Sequence, residues 1–266
     1  MNEAVLCALG NSRARIGRID GADVVDTRSV DLTPEAQLDA ALAELIVAAG
    51  GAPAMVIASV NPPAQTALER RLVAAGDVAG VYVAGRDLPI PVDTALTDPT
   101  TVGHDRLLCA YAAYKRAQGA CVVIDVGTAI TVDFVDGEGV FHGGAIAPGV
   151  GAMLRSLPQS APRLPEVAWG RAELVDGPFG RDTRSAMLVG VRAAAVGMAH
   201  LLVDQYAEFF GAYPRIIATG GDATDLFGED EIIEQILPDL QLVGLADICR
   251  DALTPGGPGG ARAGGS

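Results

Sequence analysis

The sequence predicts an α/β protein built from two similar lobes with a cleft between them, and three observations carry that expectation. Short apolar runs suited to strands alternate with longer runs of helical periodicity. One strand–turn–strand unit occurs twice, as LCALGNSRARIGRIDG and again as VIDVGTAITVDFVDGEG. Each copy joins two apolar strands through a small polar turn containing Gly and ends in an acidic Gly turn, so the chain reads as two related halves rather than a solenoid of short repeats.

In chain order, Ala4 to Leu9 is a short apolar strand that stops at Gly10-Asn11-Ser12, and Arg15 to Ile19 is its returning partner before Asp20-Gly21. Pro34 to Gly50 has helical spacing and a terminal Gly. Ala54 to Val60 is a buried-type strand ended by Asn61-Pro62-Pro63, and a helix follows from about Ala64 to Ala75. The apolar VAGVYVAG precedes a loop from Asp87 to Thr101, rich in Pro, Asp and Thr. Val102 to Arg106 opens a helix running to about Gln118, after which Cys121 to Gly139 forms the second hairpin. Beyond it come the Gly-rich stretch Gly143 to Gly149, a helix near Gly151 to Leu157, a long helix from Thr183 to about Phe210, a strand from Arg215 to Thr219 and the turn Gly220-Gly221-Asp222. This gives expected lobes over residues 1–104 and 105–253. The tail from Thr254, TPGGPGGARAGGS, has a composition that favours disorder.

Composition narrows the function. With 266 residues, half of them apolar, the chain can bury a large core. A net charge of −14 argues against binding nucleic acid or an anionic membrane through bulk electrostatics. No uncharged apolar run is long enough to span a bilayer and the N-terminus has no signal-peptide pattern, so the expected compartment is the cytoplasm. Cys7, Cys109, Cys121 and Cys249 are scattered without a CxxC pair and read as core residues. Lys115 is the only lysine and its flanks AYKRAQ hold no glycine, which excludes the GxxxxGK[ST] phosphate loop.

A phosphate-bearing ligand must then be held by local groups, and the two hairpins are suited to it. Backbone N–H groups around a tight Gly turn, with a Ser or Thr hydroxyl, cradle phosphate oxygens. A carboxylate at the strand end holds a cation that screens the phosphate charge. Two such hairpins facing one cleft would grip a nucleotide from both sides.

Laid side by side, GNSRAR, VGHDR, DVGTAIT, GGAIAPG, GRDTRSAMLVGV and IIATGGDA make the chain resemble, over nearly its whole length, the type III pantothenate kinases of the actin-like ATPase superfamily. The resemblance implies two ribonuclease-H-like lobes, a homodimer with the long helix from Thr183 at its interface, and phosphorylation of pantothenate by ATP with Mg2+ at the start of coenzyme A synthesis. It makes Asp105 the general base and Gly103, His104, Asp105 and Arg106 pantothenate contacts, with Thr183 a further contact from across the cleft or the dimer interface. Gly10, Asn11, Ser12, Arg15 and Thr128 would meet ATP, Gly220 and Gly221 would lie against the nucleoside, and Asp125 would ligate a monovalent cation, K+ or NH4+.

The chain departs from that pattern at Ala8, where the family's first hairpin carries Asp. Leu96 stands where the family has an aromatic, and Arg15 and Arg181 stand where it has lysines. The loss of a carboxylate at Ala8 supports a second reading, a nucleotide-responsive regulatory or accessory relative. Structural alternatives accompany the site residues. Asp105 precedes an apolar helical run, as a helix cap does, and Asp125 resembles a turn former. Gly143, Gly144 and Gly149 suit close packing as well as they suit a site. The three histidines, His104, His142 and His200, lack metal-ligand spacing. Asp133, Asp136 and Asp222 read as solvated turn residues, with Asp222 near enough in sequence to the nucleoside turn to touch ribose.

Overall fold

The computed structural model describes residues 3–170 and 177–253. The chain folds into two compact units. The first holds the described residues of Met1–Val92, Asp98–Ala112 and Asp239–Ser266, and the second holds those of Asp93–Thr97 and Ala113–Pro238. The units are therefore not the consecutive halves 1–104 and 105–253 of the sequence expectation, because the chain returns to the first unit for its last helix. The expected disordered tail, residues 254–266, lies outside the described residues.

In the first unit, β1 (Ala4–Leu9), β2 (Arg13–Asp20), β3 (Asp23–Asp31), β4 (Ala54–Ser59) and β5 (Gly80–Val83) form one sheet in the order β3-β2-β1-β4-β5. β1 is buried along its whole length, as a central strand covered on both faces must be. On one face, α1 (Glu35–Ala48) and α2 (Pro62–Ala75) cover Val5, Cys7, Leu9, Ala14 and Ile16. On the other, α3 (His104–Ala117) sends Leu108 into a cluster with Ala4, Leu6, Ala8, Ala58 and five residues of the later C-terminal helix, Leu242, Leu245, Ala246, Ile248 and Cys249. The start of α2 follows from its sequence: the Asn61 side chain accepts from the Ala64 N–H, and Pro62 and Pro63 fill positions that need no N–H. Gly76 then ends the helix in the left-handed conformation.

The second unit repeats this plan. Here β6 (Cys121–Val126), β7 (Ala129–Val135), β8 (Phe141–Pro148), β9 (Arg215–Thr219) and β10 (Gln235–Ile236) lie in the order β10-β9-β6-β7-β8. In each sheet the first three strands form an antiparallel meander, and the first also pairs in parallel with the fourth. The duplication read from the hairpins thus extends to whole sheets, and the α/β fold of two similar lobes is present. Covering the second sheet are α4 (Val150–Ser160), α5 (Thr183–Phe210) and α6 (Ala223–Phe227). The last helix, α7 (Leu240–Leu253), belongs to the first unit.

An Asp182–Ser185 capping box starts α5, and Gly211 ends it in the left-handed conformation. Met187, Leu188, Val191, Ala195, Ala199 and Val203, spaced three or four apart except for the first pair, enter the core. By length and composition this helix is apolar enough to cross a membrane, with 33% of its most apolar stretch buried. A core helix of a folded domain passes the same measure.

Five elements go beyond the sequence reading: β3, β8, β10, α6 and α7. Asp133 corrects it. Instead of lying in a solvated turn, this residue is 2% exposed within β7, where it pairs with Val123 and Gly144. Asp136 is the turn residue, accepting from the N–H groups of Glu138 and Val140 and from His142. All four cysteines are buried, and burial pushes the thiols of Cys7, Cys121 and Cys249 up to about 12.

Candidate functional site

In the first unit the hairpin tip is held by its own backbone. The Gly10 N–H donates to the Arg13 carbonyl at 2.9 Å, the Ser12 carbonyl accepts from Leu32, and the Leu9 carbonyl accepts from Val60 at 3.1 Å. Asn11 and Ser12 are left exposed at the tip. Gly103, just before α3, lies close to this corner, since a Cβ added to it would stand 3.6 Å from Val60 Cγ1.

That same Cβ would lie 2.3 Å from Asp105 Oδ1. The absence of a side chain at 103 therefore lets the Asp105 carboxylate fold back over the start of the helix, where its Oδ1 accepts from the Arg106 N–H at 2.8 Å. Asp105 is not the cap residue, because α3 already begins at His104. It is an acidic group in the first turn, a position the helix dipole favours. The His104 ring instead packs over the turn at Gly85, where φ is +82° and an added Cβ would meet the ring at 2.4 Å.

Arg15 is held within the unit: its Nε donates to Asp239 Oδ1 at 2.5 Å, and Thr27 Oγ1 donates to the other oxygen of Asp239 at 2.7 Å. Asp239 was missed in the sequence, where PDLQL shows only an acidic residue ahead of an apolar helix.

In the second unit the candidates converge more closely. Asp125 is the fifth of the six residues of β6, and the tip Gly127-Thr128 follows. Gly220, at φ +93°, lies against it: an added Cβ would stand 2.5 Å from Asp125 Oδ1 and 2.2 Å from the Val126 carbonyl oxygen. The Asp222 N–H donates to that carbonyl at 3.2 Å, so the Gly220-Gly221-Asp222 turn is docked on the hairpin. Gly221 itself meets open space. On the other side, the Gly149 N–H donates to the Thr128 carbonyl at 3.0 Å, and an added Cβ at 149 would lie 2.0 Å from the Gly127 carbonyl oxygen. Gly144 approaches the Val132 carbonyl as tightly, with its added Cβ 1.9 Å away. These glycines thus serve close packing, and the packing of Gly149 shapes the tip. Thr183 is exposed as the first residue of α5.

Register makes the two hairpins comparable. Ala8 is the fifth of the six residues of β1 and pairs with Arg15 on β2 and Ala58 on β4. Asp125, fifth of six in β6, pairs with Thr131 on β7 and Thr219 on β9. Ala8 therefore occupies in the first sheet the position that Asp125 occupies in the second.

No group of three or more His, Cys, Asp or Glu side chains is arranged to hold a metal ion among the described residues. Two of the histidines pair with carboxylates: His142 Nε2 lies 2.7 Å from Asp136 and His200 Nε2 lies 2.8 Å from Asp230. The carboxylate at the tip of this hairpin is that of Asp125, against which the Gly220 turn is closely packed.

Comparison with known proteins decides the family, since the type III pantothenate kinase family model matches residues 5–205. The chain belongs to the type III pantothenate kinase family. Among curated relatives, the type III pantothenate kinase of Anaeromyxobacter sp. is 33% identical over 89% of this chain and 94% of its own length. That of Acidiphilium cryptum is 39% identical over 75% of this chain and 73% of its own. In Rhodospirillum rubrum the corresponding protein is 43% identical over 64% of this chain, which spans 65% of that relative's length. A Campylobacter jejuni structure titled as a conserved putative Baf family transcriptional activator has a TM-score of 0.56 at 20% identity, over 92% of this chain and 97% of that one. Component A of Acidaminococcus fermentans (R)-2-hydroxyglutaryl-CoA dehydratase matches at 0.50 and 12% identity, over 92% and 95%. At these identities the structural likeness speaks for the fold alone, an α/β architecture of two similar sheets.

Proposed function

We propose that this chain transfers the γ-phosphoryl group of ATP to the hydroxyl of pantothenate, giving 4'-phosphopantothenate and ADP as the first step of coenzyme A synthesis. Family membership supports the reaction class, and the observation that carries the residue assignment is Gly103, whose missing side chain leaves the Asp105 carboxylate clear at the start of α3. In this reading Asp105 accepts the hydroxyl proton as the oxygen attacks phosphorus and the bond from phosphorus to the departing ADP oxygen breaks. Gly103, His104 and Arg106 contact pantothenate, Arg106 through a fork suited to its carboxylate. Thr183 adds a further contact. His104 also has a packing role on Gly85, so its substitution tests stability as well as binding.

Gly10, Asn11, Ser12, Arg15 and Thr128 contact the phosphates of ATP in this proposal, and Gly220 and Gly221 face the nucleoside. Asp125 holds K+ or NH4+. A bound cation and Mg2+ supply positive charge that offsets the charge of the transferring phosphoryl group. The chain's own part is to orient the phosphates and keep the Asp105 carboxylate ready for the proton.

A homodimer through α5 is part of the proposal. Between its buried residues this helix exposes Ala186, Gly190, Ala193, Ala194, Gly197 and Leu201, and a Cβ added at Gly190 or Gly197 would meet nothing within 4 Å. A second reading, a nucleotide-responsive regulatory relative without turnover, rests on Ala8 standing where Asp125 stands in the other sheet. A coupled ADP-release assay in potassium buffer decides between them: ADP release that requires pantothenate supports the kinase, and nucleotide binding without such release supports the regulator.

A further inference from the structure

The Arg15–Asp239 pair joins residues 224 positions apart and lies directly across the strand pair from Ala8. Residues opposite each other in an antiparallel pair share a face, with Cβ atoms about 5 Å apart. Arg15 thus faces a methyl group where β1 carries no carboxylate, and the acid it meets comes from the residue just before α7. Both oxygens of that acid are engaged, one by Arg15 Nε and the other by Thr27 Oγ1. The pair is partly withdrawn from solvent, with the two side chains 33% and 24% exposed. It therefore has more to contribute than a surface ion pair, where ordering two long side chains offsets the attraction.

The geometry of the contact is specific. Asp239 takes the Nε–H of Arg15, and no described contact uses the two terminal amino groups. An arginine pinned at Nε keeps the outer part of its fork for a second anion, and pinning removes the rotamer freedom that it would otherwise lose on binding one. Three elements are committed to this: β2 supplies Arg15, β3 supplies Thr27, and the segment before α7 supplies Asp239.

We propose that Asp239 is a positioning residue for nucleotide binding: with Thr27 it fixes the Arg15 guanidinium so that its terminal amino groups meet a phosphate of ATP. This rests on the reading of Arg15 as a phosphate contact. Asp239 touches neither substrate and acts through Arg15 alone. It supplies the carboxylate partner that position 8 does not.

Calorimetric titration of the full chain with the non-hydrolysable analogue AMP-PNP and Mg2+ tests this, using Arg15→Ala, Asp239→Asn, Asp239→Glu and the Arg15→Ala/Asp239→Asn double variant, each shown to be folded by its melting transition. Arg15→Ala is expected to weaken AMP-PNP binding about tenfold or more, the size of a lost charge-assisted contact. Asp239→Asn is expected to weaken it several-fold and Asp239→Glu to restore part of the loss, while pantothenate KM stays unchanged. The double variant should bind no more weakly than Arg15→Ala alone, because a residue that acts only through Arg15 has nothing to add once Arg15 is gone. If Arg15→Ala weakens binding and Asp239→Asn leaves it unchanged or tightens it, Asp239 is a structural anchor or a competitor for Arg15, and the proposal is overturned while the phosphate reading stands. If Arg15→Ala itself changes nothing, the phosphate reading fails and takes the proposal with it.

Discussion

Gly220 and Asp125 approach so closely that a methyl group at 220 would lie 2.5 Å from the carboxylate oxygen. The conformation at 220 is left-handed as well, at φ +93°. Gly220→Ala is therefore expected to strain the turn by about 1–2 kcal/mol and to push it off the hairpin. Nucleotide affinity and melting temperature should fall together. Gly221→Ala, beside open space, should leave the melting temperature nearly unchanged, and an equal loss in both variants would sink this account of the turn.

Asp105→Asn separates chemistry from folding. The amide keeps the shape of the side chain but accepts no proton, so turnover should drop by about 100-fold or more. Only a modest dipole contribution leaves the first turn of α3. Steady-state kinetics beside a thermal melt check this, and unchanged turnover with a lower melting temperature would make Asp105 a helix-start residue only.

A carboxylate restored at position 8 would face Arg15 from a site that is 2% exposed. Ala8→Asp is expected to raise kcat/KM for ATP while lowering the melting temperature, because a charge enters an apolar cluster and one guanidinium can offset only part of the cost. Equal or lower kcat/KM would show that the first hairpin works without an acid at that strand position. Activity appearing only in the variant would favour the regulatory reading.

The exposed side of α5 predicts self-association. Gly197→Arg places a charged chain where an added Cβ meets open space in the single chain, so the fold should tolerate it while a helix-to-helix dimer does not. Light scattering at micromolar concentration should report a dimer for the unaltered chain and a monomer for the variant. A monomer in both would remove the dimer from the proposal.

Acid should weaken the first unit through Arg86. Its guanidinium holds the Asp87 and Glu69 carboxyls below their ordinary values of 3.8 and 4.5. A carboxyl whose pKa is lower in the folded state adds stability that is present above the unfolded value and lost as pH falls through the folded one. Melting temperature should therefore decline as pH drops below about 4.5, and Arg86→Gln should flatten that decline. An unaltered slope in Arg86→Gln would assign acid sensitivity elsewhere, with Asp136 the first alternative. There burial acts to raise the carboxyl, but His142 and the N–H groups of Val140 and Glu138 outweigh it and hold it low.

The duplicated hairpins were legible because a strand that stops at a small polar turn leaves its signature within a few residues. Asp125, Thr128 and Gly220 could be named on that basis and on family resemblance, and the second unit brings them together. What escaped depended on distant partners. β8 was not read as a strand because the glycines that let it approach β7 are the residues that normally interrupt strands. Asp133 looked like a turn former, yet β7 continues past it to Val135. The role of Asp239 is fixed by β2 and β3, far back in the chain, and no local pattern announces such a pairing.

The placement of α7 sets an order on synthesis. Residues 113–238, the bulk of the second unit, leave the ribosome as one continuous stretch and can close around their own core while the rest is still being made. The sheet translated first is completed late, since Ala4, Leu6 and Ala8, which also meet Leu108, gain the rest of their cover from Leu242, Leu245, Ile248 and Cys249 when α7 emerges. Without residues 240–253 the face of β1 that carries Ala4, Leu6 and Ala8 would keep only part of its cover, so the strand made first is completed by the helix farthest from it in the chain among the described elements.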